Sequence, residues 1–324
     1  MNPPHLVLPG LLLLMLTTLT SCGICCALRK QDAGRLATSD AKAAGLIARK
    51  EFVRVRSKPP GGTKDMPPFE VWAFVTPGST QPDPTKPPVI VLHEVLGLSP
   101  DNVVLGSHLR EQFAVYMPVF FGKVPERDKW RFFKILLPST CADFVKNPDK
   151  FNAAMSWLEE FSAEISRAHG GGKVGIIGQC ASGAMPLNAS RFPDIGAAVI
   201  CQPTFPGYIL RKEPARRLGL PPGGEQPLLA ALKAKDARLM GVRFQHDPFS
   251  PPEVFTNLRR WFGDRFIAHQ IDSADYAAGP DEAPRPDLPR CSHSVFSEGD
   301  LASKQHPSRR ALDAMIRYLD ESLR

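Results

Sequence analysis

Short apolar runs, several of them continuous and rich in β-branched residues, recur along this chain and alternate with stretches whose apolar residues repeat at helical spacing. The runs Phe69 to Val75, Val89 to Leu92, Phe113 to Met117, Val174 to Ile177, Ala197 to Cys201, Leu239 to Phe244 and Phe266 to Ile271 predict strands. A run such as Val89-Ile90-Val91-Leu92 has no polar position to turn toward water, so it predicts a strand covered on both faces. Between the runs, helices are expected at 100–112, 148–168, 181–190, 225–235 and 251–262, with a closing one at 307–323. In the second of these, Phe151, Met155, Trp157, Leu158 and Phe161 recur at helical spacing, a stripe assigned to core packing. Prolines at 77, 82, 84, 87 and 88 cannot serve a strand ladder and predict a turn. Such alternation implies an α/β fold, a mostly parallel central sheet with helices on both faces. Ligands then bind at the carboxyl ends of the strands.

At 324 residues and 43% hydrophobic composition, the chain has material for one large core. One domain over 65–324 is expected, behind a segment 1–22 and a tether 23–64 that includes an edge element and a short helix at 40–50. The formal net charge is +7, but Lys and Arg are scattered and no basic run of nucleic-acid type occurs. No nucleic-acid partner is therefore expected. Leu6 to Thr20 is apolar, broken by Pro9 and Gly10, and shorter than the ~20 residues of an ordinary spanning helix. It has the length of a signal-peptide core, and Leu19-Thr20-Ser21-Cys22 resembles a lipobox, which would make Cys22 a lipidation site and give membrane attachment through the N-terminus. Export as a lipoprotein is the expectation, with the polarity of Arg29 and Lys30, after the apolar run rather than before it, pointing instead to a cytoplasmic protein. Seven cysteines at irregular spacing leave at least one thiol free and suggest no disulfide framework. Nothing calls for a metal or cofactor: His93-Glu94 has no second histidine at zinc-site spacing.

The sharpest local signal is Val174-Gly175-Ile176-Ile177-Gly178-Gln179-Cys180-Ala181-Ser182-Gly183, a buried strand that runs into small residues and then a helix. That is the pattern of a tight turn with a nucleophile, here Cys180, at its apex. A helix starting at the cysteine favours the thiolate. In such an arrangement the acid follows a later strand and the base follows the last one. Asp247 stands after Leu239 to Phe244, and His293 stands after Phe266 to Ile271 and before the closing helix. Glu94 ends the strand Val89 to Leu92, and its carboxylate needs a partner if buried. The Cys180 thiol is the expected partner, with His93 structural. Phe120, Phe121, Trp130, Phe132 and Phe133 either line the pocket or pack in the core.

Glu94-x-x-Gly97, Gly178-x-Cys180-x-x-Gly183, Asp247 and His293-Ser294 together resemble the dienelactone hydrolase family over roughly residues 66–323. The resemblance implies an α/β-hydrolase fold and a Cys180, His293, Asp247 triad, with Glu94 governing the ionisation of the thiol. It also implies an oxyanion hole from the backbone N–H groups of Ala181 and Val95. Two departures stand out. Ser182 occupies a place where family members usually have glycine, and Ser294-Val295-Phe296-Ser297-Glu298 follows His293 where an arginine clamps the substrate carboxylate. Dienelactone is therefore not carried over as the substrate. The expected activity is hydrolysis of a small-molecule ester or lactone through an acyl-enzyme, without a cofactor. The alternatives are a non-catalytic binding protein on the same fold, and a thiol redox protein pairing Cys180 with Cys201 or Cys291.

Overall fold

The structure is a computed structural model, and it describes residues 30–56, 69–95, 97–120, 124, 148–204, 218–221, 223–247, 249–272, 293–298 and 301–324. Eight strands occur among them: β1 (Phe52–Arg56), β2 (Glu70–Phe74), β3 (Pro88–Val91), β4 (Ala114–Val119), β5 (Val174–Gln179), β6 (Ile195–Cys201), β7 (Leu239–Phe244) and β8 (Phe266–Ile271). They form one sheet in the order β1-β2-β4-β3-β5-β6-β7-β8. Only β2 runs against its neighbours, pairing antiparallel with β1 and β4; from β4 through β8 every pairing is parallel.

Among the described residues eight α-helices accompany the strands: α1 (Lys30–Ala48), α2 (Pro100–Leu109), α3 (Pro148–Ala168), α4 (Met185–Ala189), α5 (Glu225–Ala234), α6 (Pro252–Phe262), α7 (Val295–Glu298) and α8 (Pro307–Leu323). Alternate strand residues point to opposite faces, so the sheet divides the interior in two. Ile90, Leu92, Val174, Ile176, Ala198 and Ile200 pack against Phe151, Trp157, Leu158 and Phe161 of α3, with α5 and α6 beside them. Val89, Val91, Ile177, Val199 and Val242 face the other way, toward α1, α2, α7 and α8. Gly175 on β5 brings the sheet close to α8: a Cβ there would lie 3.1 Å from both Leu319 and Leu323.

The segment 23–64, expected to be a tether with an edge element, carries more structure than that. The edge element is β1, and α1 extends back to Lys30, burying Ala43 and Leu46 in the second core. Its apolar residues are too sparse to announce a helix of that length, and packing against α2 supplies what the pattern lacks. The helix expected at 181–190 is a 3₁₀ turn, Cys180–Ser182, followed by the short α4. Pro186 lies inside that stretch and cannot donate to a helical ladder, so the two pieces do not merge. The segment 1–22 and most of 272–290 lie outside the described residues.

Candidate active site

The parallel strands deliver their carboxyl ends to one edge of the sheet, where β3, β5 and β6 lie side by side. Cys180 leaves β5 there with φ +51, a left-handed conformation costly for a residue with a side chain. Its surroundings enforce the turn. A Cβ on Gly178 would stand 2.3 Å from Ser182 O, and one on Gly183 would stand 2.7 Å from both Cys201 O and Pro203 Cα. Both positions therefore demand glycine for close approach. Ser182 Oγ closes the turn, accepting from Gln179 N and donating to Gln179 O, each at 3.0 Å. The hydroxyl is thus spent on the backbone, and Cys180 holds the apex.

His293 enters just before α7 and keeps 12% side-chain exposure. Its Nδ1 donates to Asp247 Oδ2 at 2.7 Å. The other carboxylate oxygen accepts from Phe249 N at 2.8 Å and Ser250 N at 3.0 Å, so Asp247 is fixed by its own loop. Arg243, fully buried on β7, braces that loop from beneath, donating from Nε to Ser250 O and from the guanidinium to Gln245 O. The Phe249 ring meets the imidazole edge to face at 5.2 Å. Burial alone would lower the imidazole pKa, but the Asp247 carboxylate and the hydrogen-bonded Cys180 outweigh it and hold His293 well above its ordinary value.

Glu94 follows β3 in a tight turn whose Gly97 has φ +88 and whose Gly97 N donates to Glu94 O at 3.0 Å. Its carboxylate is almost entirely buried, and burial pushes its pKa up against the opposing pull of His293 and Ser294. The expected thiol partner is not the one observed. Ser294 Oγ donates to Oε2 at 3.0 Å, while Ser297 Oγ and Gln202 Nε2 each donate to Oε1 at 3.3 Å. His93 is structural: Nε2 accepts from Phe120 N at 3.1 Å, which leaves Nδ1 to donate to Glu94 O at 2.7 Å. Ala181 lies in the turn after Cys180, and Val95 follows Glu94 in its own turn. Cys22 and Cys291 lie outside the described residues, as do Phe121, Trp130, Phe132 and Phe133. Phe120 packs in the core, edge to face with Phe69 at 5.0 Å.

Three contributors escaped the sequence reading. Gln202 reaches Glu94, Thr204 reaches His293, and Arg243 shapes the Asp247 loop. Gln202 and Thr204 belong to the turn after β6, whose run of apolar residues signals only a strand. An arginine inside an otherwise apolar strand was the one available sign of a buried cation with work to do.

Among the described residues no group of His, Cys, Asp and Glu is arranged to hold a metal, and no helix is long and apolar enough to cross a membrane. The dienelactone hydrolase family model matches residues 74–246, more than half of the chain. No curated protein matches it. Among solved structures it is similar to a Klebsiella pneumoniae protein assigned by name to the dienelactone hydrolases, with 14% identity and a TM-score of 0.51, covering 83% of this chain and 99% of that one. A dienelactone hydrolase-like promiscuous phosphotriesterase from metagenomic libraries gives 14% identity and a TM-score of 0.49, covering 85% and 100%. An esterase from Pyrococcus furiosus gives 12% and 0.44, covering 86% and 94%. The mostly parallel sheet, in which β2 pairs antiparallel with both its neighbours, is that of the α/β-hydrolase fold. On the strength of the family match, the chain is a hydrolase and belongs to the dienelactone hydrolase family.

Proposed function

We propose that this protein hydrolyses a carboxylic ester or lactone through Cys180 as nucleophile, His293 as base and Asp247 as the group that orients the imidazole. The observation that carries this reading is the conjunction at one sheet edge of a cysteine held at φ +51 and a histidine hydrogen-bonded both to it and, at 2.7 Å, to a buried aspartate. Those are the relationships that nucleophilic acyl transfer requires.

In this reading His293 Nε2 takes the Cys180 thiol proton, the S–H electron pair stays on sulfur, and that sulfur attacks the substrate carbonyl carbon as the carbonyl electron pair moves onto oxygen. The backbone N–H groups of Ala181 and Val95 receive that oxyanion. Collapse of the tetrahedral adduct breaks the bond to the leaving alkoxide, which takes its proton from His293 Nε2. The base, now neutral at Nε2, then takes a proton from water. Hydroxide attack on the thioester releases the carboxylic acid and restores the sulfur. Asp247 keeps Nδ1 protonated throughout, so that Nε2 is the atom that exchanges protons. Glu94 is the fixed acidic group beside this pair.

The test is burst and steady-state hydrolysis of p-nitrophenyl acetate by the full chain, with Cys180→Ala and Cys180→Ser beside it. Turnover by wild type that is lost in Cys180→Ala supports the reading. Equal rates in the two proteins would exclude Cys180 as the nucleophile.

A further inference from the structure

Side chains along β7 alternate between the two cores: Met240, Val242 and Phe244 belong to the second, Leu239 belongs to the first, and the strand period places Gly241 and Arg243 on the side of Leu239. Gly241 leaves room there for an aromatic ring of α6. A Cβ on it would stand 2.6 Å from Phe255 Cζ and 2.5 Å from Phe266 Cζ. The next residue on that side is Arg243, whose guanidinium carbon lies 5.7 Å from the centroid of the Phe255 ring. Arg243 is fully buried. A buried cation is costly, and an apolar side chain would fill this place in the core without that cost.

What the guanidinium holds accounts for its presence. Nε donates to Ser250 O at 2.8 Å, and Nη2 donates to Gln245 O at 3.0 Å. Gln245 is the first residue after β7, and Ser250 lies just before α6, so the two carbonyls mark the ends of the loop that joins these elements. The donors of a guanidinium form a rigid planar fork, which fixes the separation of those ends. Asp247 lies between them. Its Oδ1 accepts from Phe249 N at 2.8 Å and Ser250 N at 3.0 Å, and its Oδ2 accepts from His293 Nδ1 at 2.7 Å. Ser250 is therefore gripped by Arg243 through its carbonyl while its own N–H grips the Asp247 carboxylate. A shift of Ser250 moves that carboxylate, and the imidazole follows.

We infer that Arg243 is a positioning residue for this site: by holding both ends of the loop from Gln245 to Ser250 it sets the length and direction of the hydrogen bond from His293 to Asp247. Its effect on turnover rests on reading Cys180 and His293 as nucleophile and base, whereas its effect on that hydrogen bond does not. The role lies in two directed bonds rather than in the charge. An ammonium group carries the same charge but lacks the fork, so lysine cannot make the same grip.

The experiment pairs steady-state hydrolysis of p-nitrophenyl acetate by the full chain with the low-field proton resonance of the His293 Nδ1 hydrogen, assigned by its loss in His293→Gln. Arg243→Met supplies an apolar side chain of similar reach, and Arg243→Lys keeps the charge without the fork. Both variants should unfold cooperatively in urea, shift or broaden the resonance, and lower kcat about a hundredfold with KM little changed, the loss expected when a positioned group is displaced slightly. A folded Arg243→Met protein with the wild-type rate and resonance overturns the assignment. Arg243→Lys matching wild type while Arg243→Met does not would overturn it too, since charge alone would then suffice. If only one variant folds, it decides on the same two readouts; if neither folds, Arg243 serves the fold and not the site. Resonance changes in the variants of a protein without Cys180-dependent turnover would leave Arg243 in its role and sink the hydrolase mechanism. Cys180-dependent turnover that both folded variants retain would do the opposite.

Discussion

Ser182 Oγ and the backbone of Gln179 are hydrogen-bonded in both directions at 3.0 Å, so the serine acts as the clasp of the turn that carries Cys180. Removing the hydroxyl leaves the buried Gln179 N–H without that partner. Ser182→Ala should therefore lose about 1–3 kcal/mol of stability in urea unfolding while retaining ester turnover. Abolished turnover in a folded Ser182→Ala protein would make Ser182 a reacting group and contradict this assignment.

Gly178→Ala is the harsher change. The added methyl would lie 2.3 Å from Ser182 O and 2.5 Å from Pro186 Cδ, and neither backbone oxygen nor proline ring can swing aside. The expected cost is about 2–3 kcal/mol, read as a lower midpoint in urea or as loss of soluble protein. A variant as stable as wild type would show that the turn is looser than its contacts imply.

Much of this arrangement can be read in the sequence because it is local. Val174 to Gly183 encodes a strand, a glycine-permitted turn and a cysteine in one uninterrupted stretch, and the chain order of Cys180, Asp247 and His293 follows from the order of the strands. What escaped is non-local. Gln202 and Thr204 acquire meaning only because β6 lies beside β5 and its exit loop folds back over Cys180, a juxtaposition that no periodicity encodes. Glu94 illustrates the boundary between the two cases. Its burial at a strand end was legible, but its partners lie up to 203 positions away, and the two serines first noticed as a missing arginine turned out to be those partners.

The burial of Glu94 has a signature in stability against pH. Its pKa is raised on folding, so the native state holds the proton at pH values where the unfolded chain has released it, and stability falls as pH rises from the ordinary carboxylate range through the folded value. Glu94→Gln keeps an acceptor for Ser294 but removes the charge. Its stability relative to wild type should be higher near neutral pH than in acid, as measured by urea unfolding across that range. A difference independent of pH would mean that the carboxylate titrates normally.

Cys201 provides a control for thiol chemistry. Burial, with Glu94 nearby, pushes its pKa well up, and it shows no exposure. Iodoacetamide should modify Cys180 in the native protein and reach Cys201 only after denaturation, as read by peptide mass spectrometry. Native labelling of Cys201 at a comparable rate would revive pairing of these two thiols in a redox role.

The contact of Ser294 with Glu94 joins positions 200 residues apart in the chain. During synthesis, β3 through β7 and the cysteine turn emerge well before His293 does. A chain made only that far lacks Ser294 and Ser297, two of the three side chains that donate to the Glu94 carboxylate. The surroundings of Glu94 are thus completed by one of the last stretches of the chain to be made, so the oldest and youngest parts of the domain meet at this carboxylate.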